Sequence, residues 1–360
     1  MGEPRLINLI PELLSQIFHE IHRDRKATTQ AICRTLLPFQ QAALYRNVST
    51  WNERAATKLL TTLSGCPHLA SLVRTVKIYN VVGWMLEEEV IVRVLRNLRI
   101  VQEISLTSFR GIPLVLFDPQ LVKGYLSNLA RLSVYRKGEL PEGLLNSLQI
   151  YPSLTSLYFE FGDLPSWDGV HLPQIERLGL DGPDSEGGPW TLAAFSSDNF
   201  PSLRELELVI PPSSFVPFLS NLDSATQMRL RKLTLHALHA EDSYGGQARP
   251  CDQVLPSFSS LIDLDLGEDT FTDAIGRALG RLPLLETLRF GSGALLPIPR
   301  LKALHQQIPS LKNLILDQYE ASESELLKAS AMGGVEELGK AIEEIRRAGV
   351  KVEGTLLQAL

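Results

Sequence analysis

Pairs of histidines that could bind a metal ion occur at two places in the sequence, and the second pair has acidic residues and a cysteine nearby. His19 and His22 are three residues apart in a helical segment, and His236 and His239 precede two acidic residues and Cys251. A zinc site needs three or four ligands, and the first pair has no third ligand nearby. His19 and His22 are therefore interpreted as a solvated helix face, whereas a metal site around His236 stays open as an alternative.

Asp263 and Asp265 form a second candidate for chemistry, because residues two apart on a strand point to the same face. Two such carboxylates could act as a catalytic pair, but on a repeated sheet they are better interpreted as part of a charged binding surface. The sequence contains no G-x-S-x-G nucleophile motif, no H-E-x-x-H zinc motif and no P-loop. We therefore predict that the chain is not an enzyme and holds no metal and no cofactor.

Basic and tyrosine side chains are the candidates for binding a target protein. Six of them alternate with apolar residues in short β-type segments: Lys77, Tyr79, Arg131, Tyr135, Tyr158 and Arg177. Tyrosine supplies a large contact area with a polar tip, and the bases favour an acidic or phosphorylated target. As an alternative, two glycine-rich segments around Trp190 and Tyr244 bind the target instead.

These candidates lie in a short motif that recurs along most of the chain. Its form is apolar, Pro, x, apolar, x, x, apolar, x, apolar, as in residues 151–159, 200–208 and 308–316. The middle apolar residue of the strand recurs every 21 to 31 residues, at Val76, Ile104, Leu132, Leu157, Leu178, Leu206, Leu233, Leu264, Leu288 and Leu314. Apolar residues two apart point to one side of a strand, and one strand cannot bury that side alone, so the motif predicts stacked repeats.

This recurrence of L-x-x-L-x-L resembles the leucine-rich repeat proteins. Amphipathic segments between the strands, such as 84–98 and 270–282, predict helices. The resemblance implies an α/β fold, a curved leucine-rich-repeat solenoid with a parallel sheet on its concave face. The strand residues that alternate with the buried leucines are expected to line that face.

Composition and charge limit the classes of partner. The chain has 360 residues and a formal net charge of −6, with no run of basic residues, which argues against nucleic acid as a partner. Cys33, Cys66 and Cys251 are far apart and fit a reducing compartment. No apolar run approaches the roughly 18 residues of a membrane span, and the N-terminus lacks a signal-peptide pattern. We expect no membrane partner and a cytoplasmic or nuclear location.

Residues 6–48 lack the repeat motif and are predicted to form three short helices. In the first, Leu13, Leu14, Ile17 and Phe18 make one apolar face. The second covers 31–37, and the third begins at Phe39 and runs to residue 48. Because three short helices bury little surface alone, this segment predicts a partner.

The sequence pattern of this segment resembles an F-box. The matching stretches are L-I-P-E-L-L-x-x-I-F-x-x-I, A-I-C-R-x-L-L-P-F and L-Y-R-N-V. The resemblance implies binding to the Skp-type adaptor that links substrate receptors to a cullin-RING ubiquitin ligase. It assigns the adaptor contact to Ile10, Pro11, Leu13, Leu14, Ile17, Phe18, Ile32, Cys33, Leu36 and Leu37. A module of this type leading directly into repeats is typical of fungal F-box proteins. The alternative is that residues 6–48 only cap the solenoid.

The predicted function is the substrate-recognition subunit of an SCF-type ubiquitin ligase. The predicted domains are an F-box-like module (6–48), a linking helix (49–64), about ten leucine-rich repeats (65–318) and a C-terminal cap helix and strand (319–360). The module would dock to the adaptor while the repeats hold a target protein, which raises effective concentration without catalysis. The alternative is a leucine-rich-repeat interaction scaffold without a ligase.

Overall fold

A computed structural model describes most of the repeat region of the chain. The described residues are 37–50, 52–79, 88–107, 116, 118–135, 144–160, 169–182, 198–210, 214–237, 251–267, 275–291, 298–317 and 335–354. The chain divides into two compact units, Met1–Gly138 with Ser147–Leu157 and Glu139–Asn146 with Tyr158–Leu360. No helix within the described residues is long and apolar enough to cross a membrane.

The described residues include a sheet of 12 strands whose order in the sheet is that of the chain. The strands are β1 (Asn47–Thr50), β2 (Thr75–Tyr79), β3 (Glu103–Thr107), β4 (Arg131–Tyr135), β5 (Ser156–Glu160), β6 (Arg177–Asp181), β7 (Glu205–Ile210), β8 (Lys232–Ala237), β9 (Asp263–Leu266), β10 (Thr287–Phe290), β11 (Asn313–Leu316) and β12 (Lys351–Glu353). In the first unit β1 to β4 pair in parallel, and in the second unit β6 to β12 do the same.

Helices occupy many of the segments between strands. They are α1 (Leu37–Arg46), α2 (Glu53–Gly65), α3 (Pro67–Ala70), α4 (Glu88–Arg96), α5 (Pro119–Leu121), α6 (Leu144–Ser147), α7 (Phe215–Asn221), α8 (Ser224–Arg229), α9 (Ile275–Leu279), α10 (Ile298–Gln307) and α11 (Val335–Arg347). A π-helical turn, Val122–Leu126, continues α5, and 3₁₀ turns lie at Leu148–Ile150, Cys251–Gln253 and Leu255–Ser257. The helices predicted within 84–98 and 270–282 are α4 and α9.

The ten apolar residues predicted to mark the strands all lie in β2 to β11 and are at most 1% exposed. Val76 to Leu132 in the first unit and Leu178 to Leu314 in the second align without slip. Val76 on β2 faces Ile104 on β3, and Leu178 on β6 faces Leu206 on β7. The predicted leucine-rich-repeat solenoid is therefore confirmed, together with the side of each strand that faces the core.

The proline of the motif lies in a tight turn just before the strand. In the repeat that contains β7, the Leu203 amide donates a hydrogen bond to the Phe200 carbonyl at 3.1 Å, across Pro201. In the repeat that contains β11, the Leu311 amide donates the equivalent hydrogen bond to the Ile308 carbonyl, also at 3.1 Å. Proline suits the second position of such a turn because its φ is already fixed near the required value.

The structure corrects the predicted start of the sheet. The helix predicted to run to Val48 ends at Arg46, and the chain continues as β1, so that the linking helix predicted from residue 49 begins only at Glu53, as α2. Val48 and Thr50 are β-branched, which favours a strand, and β1 pairs with β2 from Asn47 opposite Thr75 onwards. The Asn52 side chain then caps α2 by accepting a hydrogen bond from the Ala55 amide at 2.9 Å.

Candidate functional site

In the first unit, the polar face of the sheet presents four of the six predicted target-binding residues. Tyr79 ends β2 and Tyr135 ends β4, and both align with Thr107, which ends β3 between them. These ends of β2 to β4 form a short row of one threonine and two tyrosines, all of them half-buried. The row presents aromatic area with polar tips on one side of the sheet.

The same face has an ion-pair cluster nearer the start of the strands. The Glu103 carboxylate accepts two hydrogen bonds from the Arg131 guanidinium, at 2.7 and 3.0 Å. Lys77 Nζ lies 3.9 Å from the other oxygen of the same carboxylate. The Glu103 side chain is 20% exposed, whereas those of Lys77 and Arg131 are 44% and 54% exposed. The carboxylate therefore lies beneath two bases that solvent, or a partner, can reach.

An open groove of about 520 Å³ lies beside this cluster, where β1 to β4 begin. It is lined by Arg46, Asn47, Val48, Ser49, Arg74, Thr75, Lys77, Gln102, Glu103 and Arg131. We call it the basic groove, since four of its residues are basic and one is acidic. The sequence alone predicted only Lys77 and Arg131 as site residues. Arg46 and Arg74 were missed because β1, which brings them to neighbouring positions, was not predicted.

The other two predicted residues belong to the second unit. The Tyr158 hydroxyl donates a hydrogen bond to the Asp181 carboxylate at 3.1 Å, and its ring covers Gly179. A Cβ atom on Gly179 would lie 2.2 Å from the Tyr158 ring, so only glycine leaves room for this packing. Tyr158 is therefore held against the sheet. Arg177 remains 57% exposed and pairs with Glu205 at 3.1 Å.

Asp263 and Asp265 are each engaged by their own cations. Asp263 lies 3.2 Å from Lys232 Nζ, whereas Asp265 lies 3.2 Å from His236 Nε2 and 3.6 Å from Arg289 Nε. Such pairing fits the interpretation of the two carboxylates as part of a charged face. Because each carboxylate faces its own cations, Asp263 and Asp265 do not resemble a catalytic pair that shares one proton.

His236 and Glu207 titrate away from their ordinary values in this charged face. The hydrogen bond to Asp265 raises the pKa of His236; the charges of Asp265 and Glu207 add to this, whereas partial burial and Arg289 oppose it. Desolvation raises the pKa of Glu207 and Asp265 adds to the effect, while His236 and Lys232 oppose it. Both shifts favour the protonated side chains in the folded state.

The His236–Asp265 pair predicts a pH-dependent stability. Because folding raises the pKa of His236, the pair stabilises the fold below the ordinary histidine value of 6.5, and this contribution is lost as pH rises through the folded-state pKa. The stability difference between the wild type and a His236→Gln variant should therefore be larger at about pH 6 than at about pH 9. Urea unfolding at the two pH values measures it, and a constant difference would contradict the assignment.

The possible metal site around His236 gains no support from the described residues. Within them, no group of three or more histidine, cysteine or acidic side chains could hold a metal ion. Cys251 is fully buried, and burial raises the pKa of its thiol, which disfavours the thiolate that binds metals. His239 and the acidic residues beside it lie outside the described residues, as do His19 and His22.

Most of the predicted adaptor-binding residues also lie outside the described part of the chain. These are Ile10, Pro11, Leu13, Leu14, Ile17, Phe18, Ile32, Cys33 and Leu36. Leu37 is the first residue of α1 and is 39% exposed, and Leu44, seven residues further along α1, is 37% exposed. Residues seven apart share one face of a helix, so α1 presents two leucines to solvent. Trp190 and Tyr244 of the alternative target site are likewise outside the described residues.

Comparison with known proteins finds similarity only at the level of solved structures. No protein-family model matches the sequence, and no curated protein matches it significantly. The leucine-rich repeat-containing protein LegL7 from Legionella pneumophila is 13% identical, with a TM-score of 0.48 over 86% of this chain and 91% of that one. The yeast Rad7–Elc1 complex is 13% identical, with a TM-score of 0.43 over 86% of this chain and 88% of that one. The complex of TLR13 with ssRNA13 is 13% identical, with a TM-score of 0.25 over 71% of this chain and 52% of that one. None of the three assigns a function to this chain.

Proposed function

We propose that this chain is a protein-interaction module that holds a target protein against the polar face of its repeats and catalyses no reaction. The supporting observation is the aligned row of Tyr79, Thr107 and Tyr135 beside the bases Lys77 and Arg131, above a continuous apolar core. A rigid sheet positions such side chains at low entropic cost, and stacked repeats provide extended binding surfaces. Tyrosine and arginine are the residue types that dominate binding energy at protein interfaces.

Within this function, we propose the role of substrate receptor in an SCF-type ubiquitin ligase. The F-box-like sequence of residues 6–48 supports it, with Skp-type adaptor and cullin as partners. The exposed leucines on α1, Leu37 and Leu44, add support because exposed apolar side chains on one helix face are suited to a helical partner. Residues 6–48 would then dock to the ligase and the repeats would select the target, in the cytoplasm or the nucleus.

The alternative role is a leucine-rich-repeat scaffold without a ligase. The polar sheet face supports both roles equally, because it would bind the target protein in either role. Binding of the purified full chain to a Skp-type adaptor separates them, because only the substrate receptor requires that complex.

Replacing Tyr79 and Tyr135 together with alanine should weaken target binding by about tenfold or more, since each is expected to act as an interface anchor. The measurement is the recovery, and then the affinity, of whichever target co-purifies with the full chain. Trp190→Ala is the comparison variant, because it tests the alternative site in the glycine-rich segment.

Adaptor binding by the double tyrosine variant is the control for folding and should be unchanged. Loss of the target in the Trp190 variant alone would contradict binding at the sheet face. It would place the target at the segment around residue 190 instead.

A further inference from the structure

We propose that the basic groove binds a phosphorylated serine or threonine of the target protein. This inference rests on the proposed function, because it names what the first unit recognises on its target. The groove lies where β1 to β4 begin, on the side of the ion-pair cluster opposite the Tyr79–Tyr135 row. A target segment could therefore contact the groove and the row together.

Two of the basic residues that line the groove, Arg46 and Arg74, lie on adjacent strand starts. Arg46 and Arg74 occupy equivalent positions just before β1 and β2, and the Arg74 amide donates to the Arg46 carbonyl at 2.9 Å. Their side chains therefore start about 4.8 Å apart on neighbouring strands. Arg74 Nη1 donates a hydrogen bond to the Ser71 carbonyl at 3.3 Å, and neither arginine forms an ion pair with any residue that the structure describes.

The remaining two bases are already oriented toward the groove. Glu103 fixes Arg131 by two hydrogen bonds and attracts Lys77, so these side chains lose little freedom when a ligand binds. Four bases thus surround a single carboxylate, which leaves a strong local excess of positive charge in a chain whose formal net charge is −6. A dianionic ligand balances this excess better than a single carboxylate does.

Phosphate fits the donors and the size of the groove. Guanidinium groups bind phosphate through two parallel hydrogen bonds, and Asn47, Ser49 and Gln102 also line the groove as neutral donors. The groove crosses only β1 to β4, a width of about 14 Å at 4.8 Å per strand. This is enough for one phosphorylated side chain and its neighbours, whereas a nucleic acid strand usually follows a longer basic track.

The test measures binding of the full chain to synthetic peptides by fluorescence anisotropy. The probe is a fluorescein-labelled peptide of glycine, serine and aspartate with one phosphoserine. It is compared with the same peptide without phosphate and with an oligothymidine of equal charge. We expect the phosphopeptide to bind at least about tenfold more tightly than either comparison ligand. Its affinity should fall as the salt concentration is raised.

Variants of the groove give opposite expected changes. Arg46→Ala with Arg74→Ala should weaken phosphopeptide binding by about tenfold or more, because two charge-assisted contacts are lost. Glu103→Gln should strengthen it severalfold, because removing the one carboxylate that lines the groove raises its positive charge, and this gain outweighs the weaker ordering of Arg131.

The second unit offers a matched control pair. Arg204 and Arg231 stand just before β7 and β8, and the Arg231 amide donates to the Arg204 carbonyl at 2.8 Å, as in the arginine pair at the groove. Both are exposed and neither lines the basic groove. Arg204→Ala with Arg231→Ala removes the same charge and should leave phosphopeptide affinity unchanged.

Three results would each overturn the inference. They are equal affinity for the unphosphorylated peptide, tighter binding of the oligothymidine, and equal losses in the two arginine double variants. These peptide measurements involve neither adaptor nor target. If the phosphopeptide fails to bind while the target is still captured through Tyr79 and Tyr135, only this inference is wrong and the proposed function stands.

Discussion

Replacing Leu206 with alanine is expected to lower the free energy of unfolding by about 2–5 kcal/mol. Leu206 lies in β7, aligned with Leu178 on β6 and Leu233 on β8, and it is 1% exposed. Alanine removes apolar contacts and leaves a cavity between three repeats that the surrounding strands cannot fill by moving. Urea unfolding followed by circular dichroism measures the change.

The neighbouring residue provides the control for this substitution. Glu207 lies on the opposite, polar face of β7, so Glu207→Ala leaves no cavity in the core and should change stability much less than Leu206→Ala. A small effect at Leu206 together with a large one at Glu207 would contradict the register of β7. A slip of one residue exchanges the buried and exposed faces of a strand.

Replacing Leu14 with aspartate is expected to abolish binding to the Skp-type adaptor and to leave the repeats folded. Leu14 lies in the predicted apolar face with Leu13, Ile17 and Phe18, which the F-box resemblance assigns to the adaptor contact. A carboxylate buried there without a partner would cost about 3–5 kcal/mol, comparable to a major interface anchor. Isothermal titration of the full chain with the adaptor measures the loss.

Ser15→Asp is the matched control, because it adds the same charge beside the apolar face instead of within it. Adaptor binding should survive in this variant. If Leu14→Asp instead unfolds the repeats, residues 6–48 form a cap of the solenoid, as in the alternative interpretation. The role as a ligase substrate receptor would then fail.

The repeats could be predicted from the sequence because two local signals agree in every complete copy of the motif. Alternating leucines assign the core side of each strand, and the proline marks the turn before it, as between Phe200 and Leu203. Both signals act over a few residues and need no knowledge of the neighbouring repeats. The aligned register from Leu178 to Leu314 follows from equal motifs.

Features that depend on contacts between repeats could not be predicted in this way. β1 has no proline turn before it and forms by pairing with the edge of β2. The Glu103–Arg131 ion pair joins residues 28 apart in the chain. Strand alternation placed Tyr158 on the polar face, but only the structure shows that Gly179 on the next strand lets its ring lie flat. The basic groove depends on the first two of these contacts, the pairing of β1 with β2 and the ion pair between Glu103 and Arg131.

The most direct test of the proposed role is quantitative affinity purification of the full chain from its native cells, in parallel with the Leu14→Asp variant. The wild type should recover a Skp-type adaptor, a cullin and at least one further protein. The variant should lose the adaptor and the cullin and retain the further protein, because the repeats bind it independently. Recovery of other proteins without any adaptor in the wild type would contradict the ligase role and favour the scaffold.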